Sequence, residues 1–210
     1  MNPIELTQQE RDNAFNDAEK ASQRQDLKSH CTKIRDGIEK LDKNSGDRAI
    51  WELIQNACDL GDSISIEIKI TNDSFSFSHN GKPFSFDALC SLVKQVSSRD
   101  KENNKTVGQY GTGFLTTHAF SRKFTIWGSL QIKENVFIDI DKFEVDREFD
   151  VMDDFIKKMS RQINNAKALI KDGEPTEKRC CTIFTYPLSD KSFEVAFRAV
   201  SAAKQLMPYV

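Results

Sequence analysis

Three short stretches hold groups that could do chemistry. In RAIWELIQNACDLGD, residues 48–62, Glu52, Asn56 and Asp59 recur at helical spacing. At about 100° per residue they share one arc, almost opposite the arc of Ile50, Leu53, Ile54 and Ala57. The apolar arc is a core stripe; the polar arc is either a wet face or one wall of a site. Further along, GQYGTGF places Gly108, Gly111 and Gly113 just ahead of a helix. Glycines let backbone N–H groups approach phosphate oxygens without a Cβ in the way. The start of the following helix adds unpaired N–H groups and a positive dipole end. Between the two lies SHNGKPF, 78–84, directly after a strand. Taken alone, Asn80-Gly81 reads as a tight, hairpin-like turn.

These stretches need elements to hold them. Leu27, Cys31, Ile34, Ile38 and Leu41 step by four and three, a narrow apolar seam on a helix that follows a polar, charged segment over 5–26. Within that segment only Phe15 and Ala18 hint at an apolar face. DKNSGD, 42–47, is a turn, with Ser45 or Asp47 as N-cap of the helix bearing Glu52. SISIEIKI (63–70) and SFSFS (74–78) alternate and form a strand pair. SFDALCSLVKQV (85–96) is a short helix capped by Ser85, and the polar 97–107 is a loop. Strands over 123–132 and 136–140, a helix over 150–171, a loop at KDGEPTEK, a strand over 180–188 and a helix from Ser192 to Met207 complete the chain. The order lacks regular βαβ alternation. It predicts an α/β chain of the α+β sandwich kind, with a mixed, largely antiparallel sheet and helices on one face.

Composition bounds the partners. The 210 residues are 38% hydrophobic, enough for one sizeable core. Charged residues reach 30% but nearly cancel, leaving a net charge of −2, so nucleic acid is not indicated as a partner. No apolar run is long enough for a membrane span, and the N-terminus lacks the layout of a secretory signal. Five cysteines without a C-x-x-C pair predict buried or half-buried free thiols in a reducing compartment. The reading is of a soluble cytoplasmic protein.

Together, WELIQNACD, HNGKPF and GQYGTGF resemble, in order and spacing, the three motifs of the GHKL ATPase superfamily. That superfamily groups DNA gyrase, the ATP-dependent heat-shock chaperones, histidine kinases and MutL. The resemblance covers roughly residues 45–190, and it looks most like sacsin-like or MORC-like ATPase heads. It implies the Bergerat fold, a 45–210 ATP-binding domain behind a 1–44 helical arm, and ATP and Mg²⁺ as cofactors. By the same resemblance, Glu52 is the general base or water-positioning group for attack on the γ-phosphate. Asn56 holds Mg²⁺ through its carbonyl oxygen. Asp59 supports the pocket wall. Gly108, Gly111, Thr112, Gly113 and Phe114 belong to the phosphate-wrapping motif, with 97–112 as the ATP lid. Thr182 sits where the family places a threonine near adenine. The second motif of the family begins D-x-G, its Asp accepting from the adenine amino group; here His79 stands in that position, followed by Asn80 and Gly81. Either a neutral His79 or the Asn80 carbonyl is then the acceptor. Arg99 and Lys105, in the lid, either reach the γ-phosphate or remain solvated.

The expected activity is slow hydrolysis of Mg-ATP that drives dimerisation or a change in a larger protein. The arm before Leu27 either crosses to a second subunit or folds onto its own domain. The apolar ending AAKQLMPYV leads us to expect further domains in a longer chain. The alternatives are a non-hydrolysing nucleotide-binding scaffold, a histidine-kinase-type phosphotransferase, which normally lacks a carboxylate like Glu52, and a non-enzymatic interaction domain.

Overall fold

Phe75, Phe77 and His79 alternate with Ser74, Ser76 and Ser78, and that alternation decides which face of the sheet is covered. In the computed structural model, which describes residues 7–95 and 112–206, they form strand β2 (Ser74–His79). It lies between β1 (Ile66–Ile70) and β6 (Thr182–Pro187). The sheet continues through β3 (Lys123–Lys133) and β4 (Val136–Asp146) to the two-residue β5 (Pro175–Thr176), in the order β1-β2-β6-β3-β4-β5. Every pairing between these strands is antiparallel; the parallel element is an isolated bridge between Phe84 and Leu130. The architecture is the expected α+β sandwich.

Register places Phe75 opposite Tyr186 and Phe77 opposite Phe184, with Ile126 of β3 beyond Phe184. Their rings interlock, Phe75 with Tyr186 at 5.8 Å and Phe124 with Tyr186 at 4.9 Å between centroids. This is the covered face. On the other face Ser76, Ser78, Thr125, Trp127 and Thr185 stay half-buried. The covering layer consists of α1 (Gln8–Glu39), α2 (Ser45–Cys58), α3 (Phe86–Lys94), α4 (Met152–Asp172), α5 (Asp190–Leu206) and a 3₁₀ helix over Thr112–Ala119.

Helix α1 is a single 32-residue helix opened by a capping box between Thr7 and Glu10. Cys31, Ile34 and Ile38 join the core, and Leu27 and Leu41 pack against it, so the seam is used as its spacing predicts. Phe15 and Ala18 do not form a buried face: Phe15 is 70% exposed.

Several boundaries differ from expectation. Helix α2 starts at Ser45, so neither Ser45 nor Asp47 caps it; Asn44 is the cap and makes no side-chain cap bond. Ser45 instead belongs to a turn in which its Oγ accepts from the Asp42 amide at 2.8 Å. Ser85 does cap α3, accepting from the Ala88 amide. Strand β1 begins only at Ile66, and β4 runs on to Asp146. KDGEPTEK, expected as loop, contributes β5. The glycine-rich motif leads into a 3₁₀ rather than an α-helix. Cys58 and Cys180 are exposed, against the expectation of buried thiols, while all five cysteines are free. Among the described residues no helix is long and apolar enough to cross a membrane.

Candidate functional site

Helix α2 is buried on both arcs. Ile50, Leu53 and Ala57 face the core as expected, and Ala49 joins them. On the opposite arc Asn56 is also buried, 5% exposed, and Glu52 and Asp59 are half-buried. A solvated face would leave such groups in water. Here Asn56 Oδ1 and Nδ2 are both buried with no hydrogen-bond partner among the described residues, and so is Asp59 Oδ2. A buried amide normally finds partners, because leaving its groups unpaired costs about 1–3 kcal/mol each. Three such atoms fall together on this arc.

The 3₁₀ helix closes over this arc. A Cβ built on Gly113 would fall within the carboxylate of Glu52, so only a glycine allows that approach. The turn is fixed from within: Thr116 Oγ1 donates to the Gly113 carbonyl at 2.7 Å and Thr117 Oγ1 to Phe114 at 2.9 Å. Phe114 anchors it in the core, 5.9 Å from Phe124 and 6.0 Å from Phe184. Burial raises the pKa of Glu52 above the ordinary carboxylate value, and that of Asp59 likewise. A carboxyl held in this way is a better proton acceptor than one in water.

The HNG stretch sits at the C-terminal end of α2. The Lys82 amide donates to the Leu60 carbonyl at 3.1 Å and the Asn80 amide to Ser65 at 3.3 Å. A side chain on Gly81 would meet Leu60 Cβ at 2.7 Å. Neither Asn80 nor Gly81 has positive φ, so the hairpin-type turn does not form; glycine is needed here for close approach. Asn80, the rival acceptor, is exposed, and its Oδ1 accepts from the Ser65 amide at 2.8 Å. His79 is 3% exposed, ends β2 and pairs across the ladder with Thr182, also 3% exposed. Its Nδ1 accepts from the Gly81 amide at 3.2 Å, and desolvation pushes its pKa down to about 4. The ring is therefore neutral, with the Nδ1 lone pair taken by the Gly81 amide and the proton on Nε2.

The fold thus brings Glu52, Asn56 and Asp59 onto one wall, Gly113 against Glu52, and His79 beside Thr182 at one end of the sheet. Gly108, Gly111, Arg99 and Lys105 lie outside the described residues, as does the side chain of Thr112. His118 is structural, as expected: its Nδ1 donates to the Ser121 carbonyl at 3.0 Å and burial pushes its pKa to about 3. A cleft of about 480 Å³ opens nearby, bounded by Lys33, Lys40 and Arg48 on one side and Leu115 and Thr116 on the other; it contains none of the residues of the α2 wall.

Two buried positions escaped the sequence reading. Gly128 lies next to Thr182, where a Cβ would meet Thr182 Oγ1 at 3.1 Å; a glycine inside a strand pattern was the available signal. Arg147 is fully buried and donates to the Leu92 and Val93 carbonyls at 3.1 and 2.6 Å, closing the end of α3. No periodicity points to a buried arginine. The chain matches no protein-family model, and no curated protein matches it.

Proposed function

We propose that this chain binds Mg-ATP and slowly hydrolyses it to ADP and phosphate, its nucleotide state driving dimerisation or a conformational change in a larger protein. One observation carries the reading: the Asn56 amide, buried and without a partner among the described residues, one helical turn from the half-buried carboxylate of Glu52. A structural asparagine in that position would be bonded. Mg²⁺ takes few protein ligands beside phosphate oxygens and water, so one neutral carbonyl oxygen fits it, and Asn56 Oδ1 would hold it. When bound, the ion neutralises charge that develops on the phosphates.

The protein's own part is positioning and proton management. Glu52 takes the proton of the attacking water or fixes its orientation, and its raised pKa suits that task. Gly113 holds the carboxylate in place and lets backbone amides come close to the phosphates. His79 and Thr182 end the pocket where the base would lie, the part taken over from the GHKL resemblance. The N-terminal part of α1, exposed on all sides, supports a role for the arm outside its own domain.

The test is ATP turnover and Mg-dependent ATP binding by calorimetry, wild type beside Glu52→Ala. Turnover should vanish in the variant while binding stays within about threefold. Absence of Mg-dependent binding in the wild type defeats the proposal. Binding without turnover in the wild type selects the scaffold reading, and equal turnover in both proteins removes Glu52 from its role.

A further inference from the structure

The base end of the site has the opposite hydrogen-bond polarity from the one its sequence position implies. Because the Gly81 amide donates to His79 Nδ1, that nitrogen carries the lone pair and the ring proton sits on Nε2. Nδ1 is the nitrogen nearer the backbone, and the bond to Gly81 turns it there. Nε2 is then at the far end of the ring, projecting from the covered face of β2, the face shared with Phe75 and Phe77. The ring is braced on both sides, 6.3 Å from Phe77 and 6.2 Å from Phe184 between centroids. Its bond with Gly81 is the one hydrogen bond it makes among the described residues. The Asn80 oxygen is taken by Ser65. Thr182, the cross-strand neighbour, has a hydroxyl that can donate or accept. His79 therefore offers an obligate donor where an adenine-reading carboxylate would offer an obligate acceptor.

We propose that His79 Nε2–H reads an acceptor on the purine edge, so that 6-oxopurine nucleoside triphosphates bind at least as tightly as ATP. The inference rests on the nucleotide reading above and concerns only its base end. The exocyclic amino group of adenine is a donor; facing Nε2–H it loses its water without gaining a partner. The carbonyl of hypoxanthine or guanine at the same position accepts. Unmade hydrogen bonds of buried groups are what give such sites their discrimination. Asp59 Oδ2, buried and without a partner among the described residues, is a second candidate acceptor and defines the rival outcome.

The experiment is competition of ATP, ITP, GTP and purine riboside triphosphate against a fluorescent nucleotide, on the full chain with Mg²⁺. In the wild type ITP should bind within about threefold of ATP or tighter, and the purine riboside, which lacks the 6-oxo group, should bind more weakly than ITP by about tenfold. His79→Asp should move the ATP-to-ITP affinity ratio toward ATP by about tenfold or more. His79→Gln, whose amide can both donate and accept, should bring the two nucleotides together. ATP binding more than about threefold tighter than ITP in the wild type overturns the inference and leaves the nucleotide site standing; loss of that preference in Asp59→Asn would then assign the reading to Asp59. If no purine triphosphate binds, the site reading itself falls and this inference with it. The wild-type comparison decides the matter even if the His79 variants do not fold.

Discussion

The α-carbon of Gly113 rests against the carboxylate of Glu52, and a methyl group there would occupy the space of both oxygens. The two residues are far apart in sequence, one on a polar helical arc and one in a glycine-rich turn. Their contact is what turns that arc into an enclosed wall. Gly113 does not have positive φ, so alanine is compatible with its backbone, and the group that must yield is the flexible end of a glutamate. Gly113→Ala should therefore fold with a stability change of about 1 kcal/mol or less, and still lose turnover by about tenfold or more, because the carboxylate is displaced. Paired with Glu52→Ala the two effects should not add. A double-mutant cycle on turnover checks this; additive losses would mean that Gly113 acts on something other than Glu52.

Asn56 gives a second separation of stability from function. Its Oδ1 and Nδ2 are buried without partners among the described residues, so truncation removes a desolvated amide rather than a hydrogen bond. Asn56→Ala should leave the chemical-denaturation midpoint unchanged or raised, while weakening Mg-dependent nucleotide binding by about tenfold or more. An asparagine with a structural role would show the reverse: lost stability and unchanged binding.

These contrasts also mark what could be read from the chain alone. The four-three steps of Leu27 to Leu41 and the alternation of SFSFS identify the buried faces, because one buried stripe suffices to produce each pattern. The arc of Glu52, Asn56 and Asp59 was visible as an arc, but its enclosure was not. Enclosure depends on Gly113, and contact between distant residues leaves no periodicity. The choice of acceptor at HNG was illegible for a related reason. Whether His79 accepts or donates is set by the Gly81 amide, and whether Asn80 is free is set by the Ser65 amide; both are backbone groups without a side-chain signature.

Acid should expose the histidine contribution. His79 is held neutral chiefly by burial, its pKa lowered from the ordinary 6.5 to about 4. A lowered histidine pKa means the unfolded chain takes up the proton first. The contribution is thus fully present above 6.5 and is lost as pH falls through 4. Its full size is on the order of 3 kcal/mol. His118, pushed down to about 3, adds a loss that continues to lower pH. Glu52 acts in the opposite direction: its raised pKa makes the ionised form a cost that disappears as pH falls. Denaturation midpoints taken from pH 7 to pH 4 should fall in the wild type and fall less steeply in His79→Gln, whose amide oxygen can keep the Gly81 bond. Parallel pH profiles would show that His79 is not the group being titrated.

Arg147 is a buried cation that makes no hydrogen bond to a carboxylate among the described residues. Its Nη2 donates to the carbonyls of Leu92 and Val93, and Nε and Nη1 have no partner among the described residues. Burial lowers its pKa to about 10, which still leaves it charged at neutral pH. What offsets the desolvation is the C-terminal end of α3, where the last carbonyls carry negative partial charge. Removing the side chain opens a cavity and takes its two bonds from those carbonyls, of which Leu92 keeps the Gln95 amide, so Arg147→Ala should cost about 2–5 kcal/mol. Arg147→Met keeps most of the volume and also removes the buried charge, a change that is often neutral in itself. It should recover more than half of the loss. Urea titrations of the two variants check the difference. Equal destabilisation by Met and Ala would mean that the bonds to α3, and not packing, hold this part of the core together.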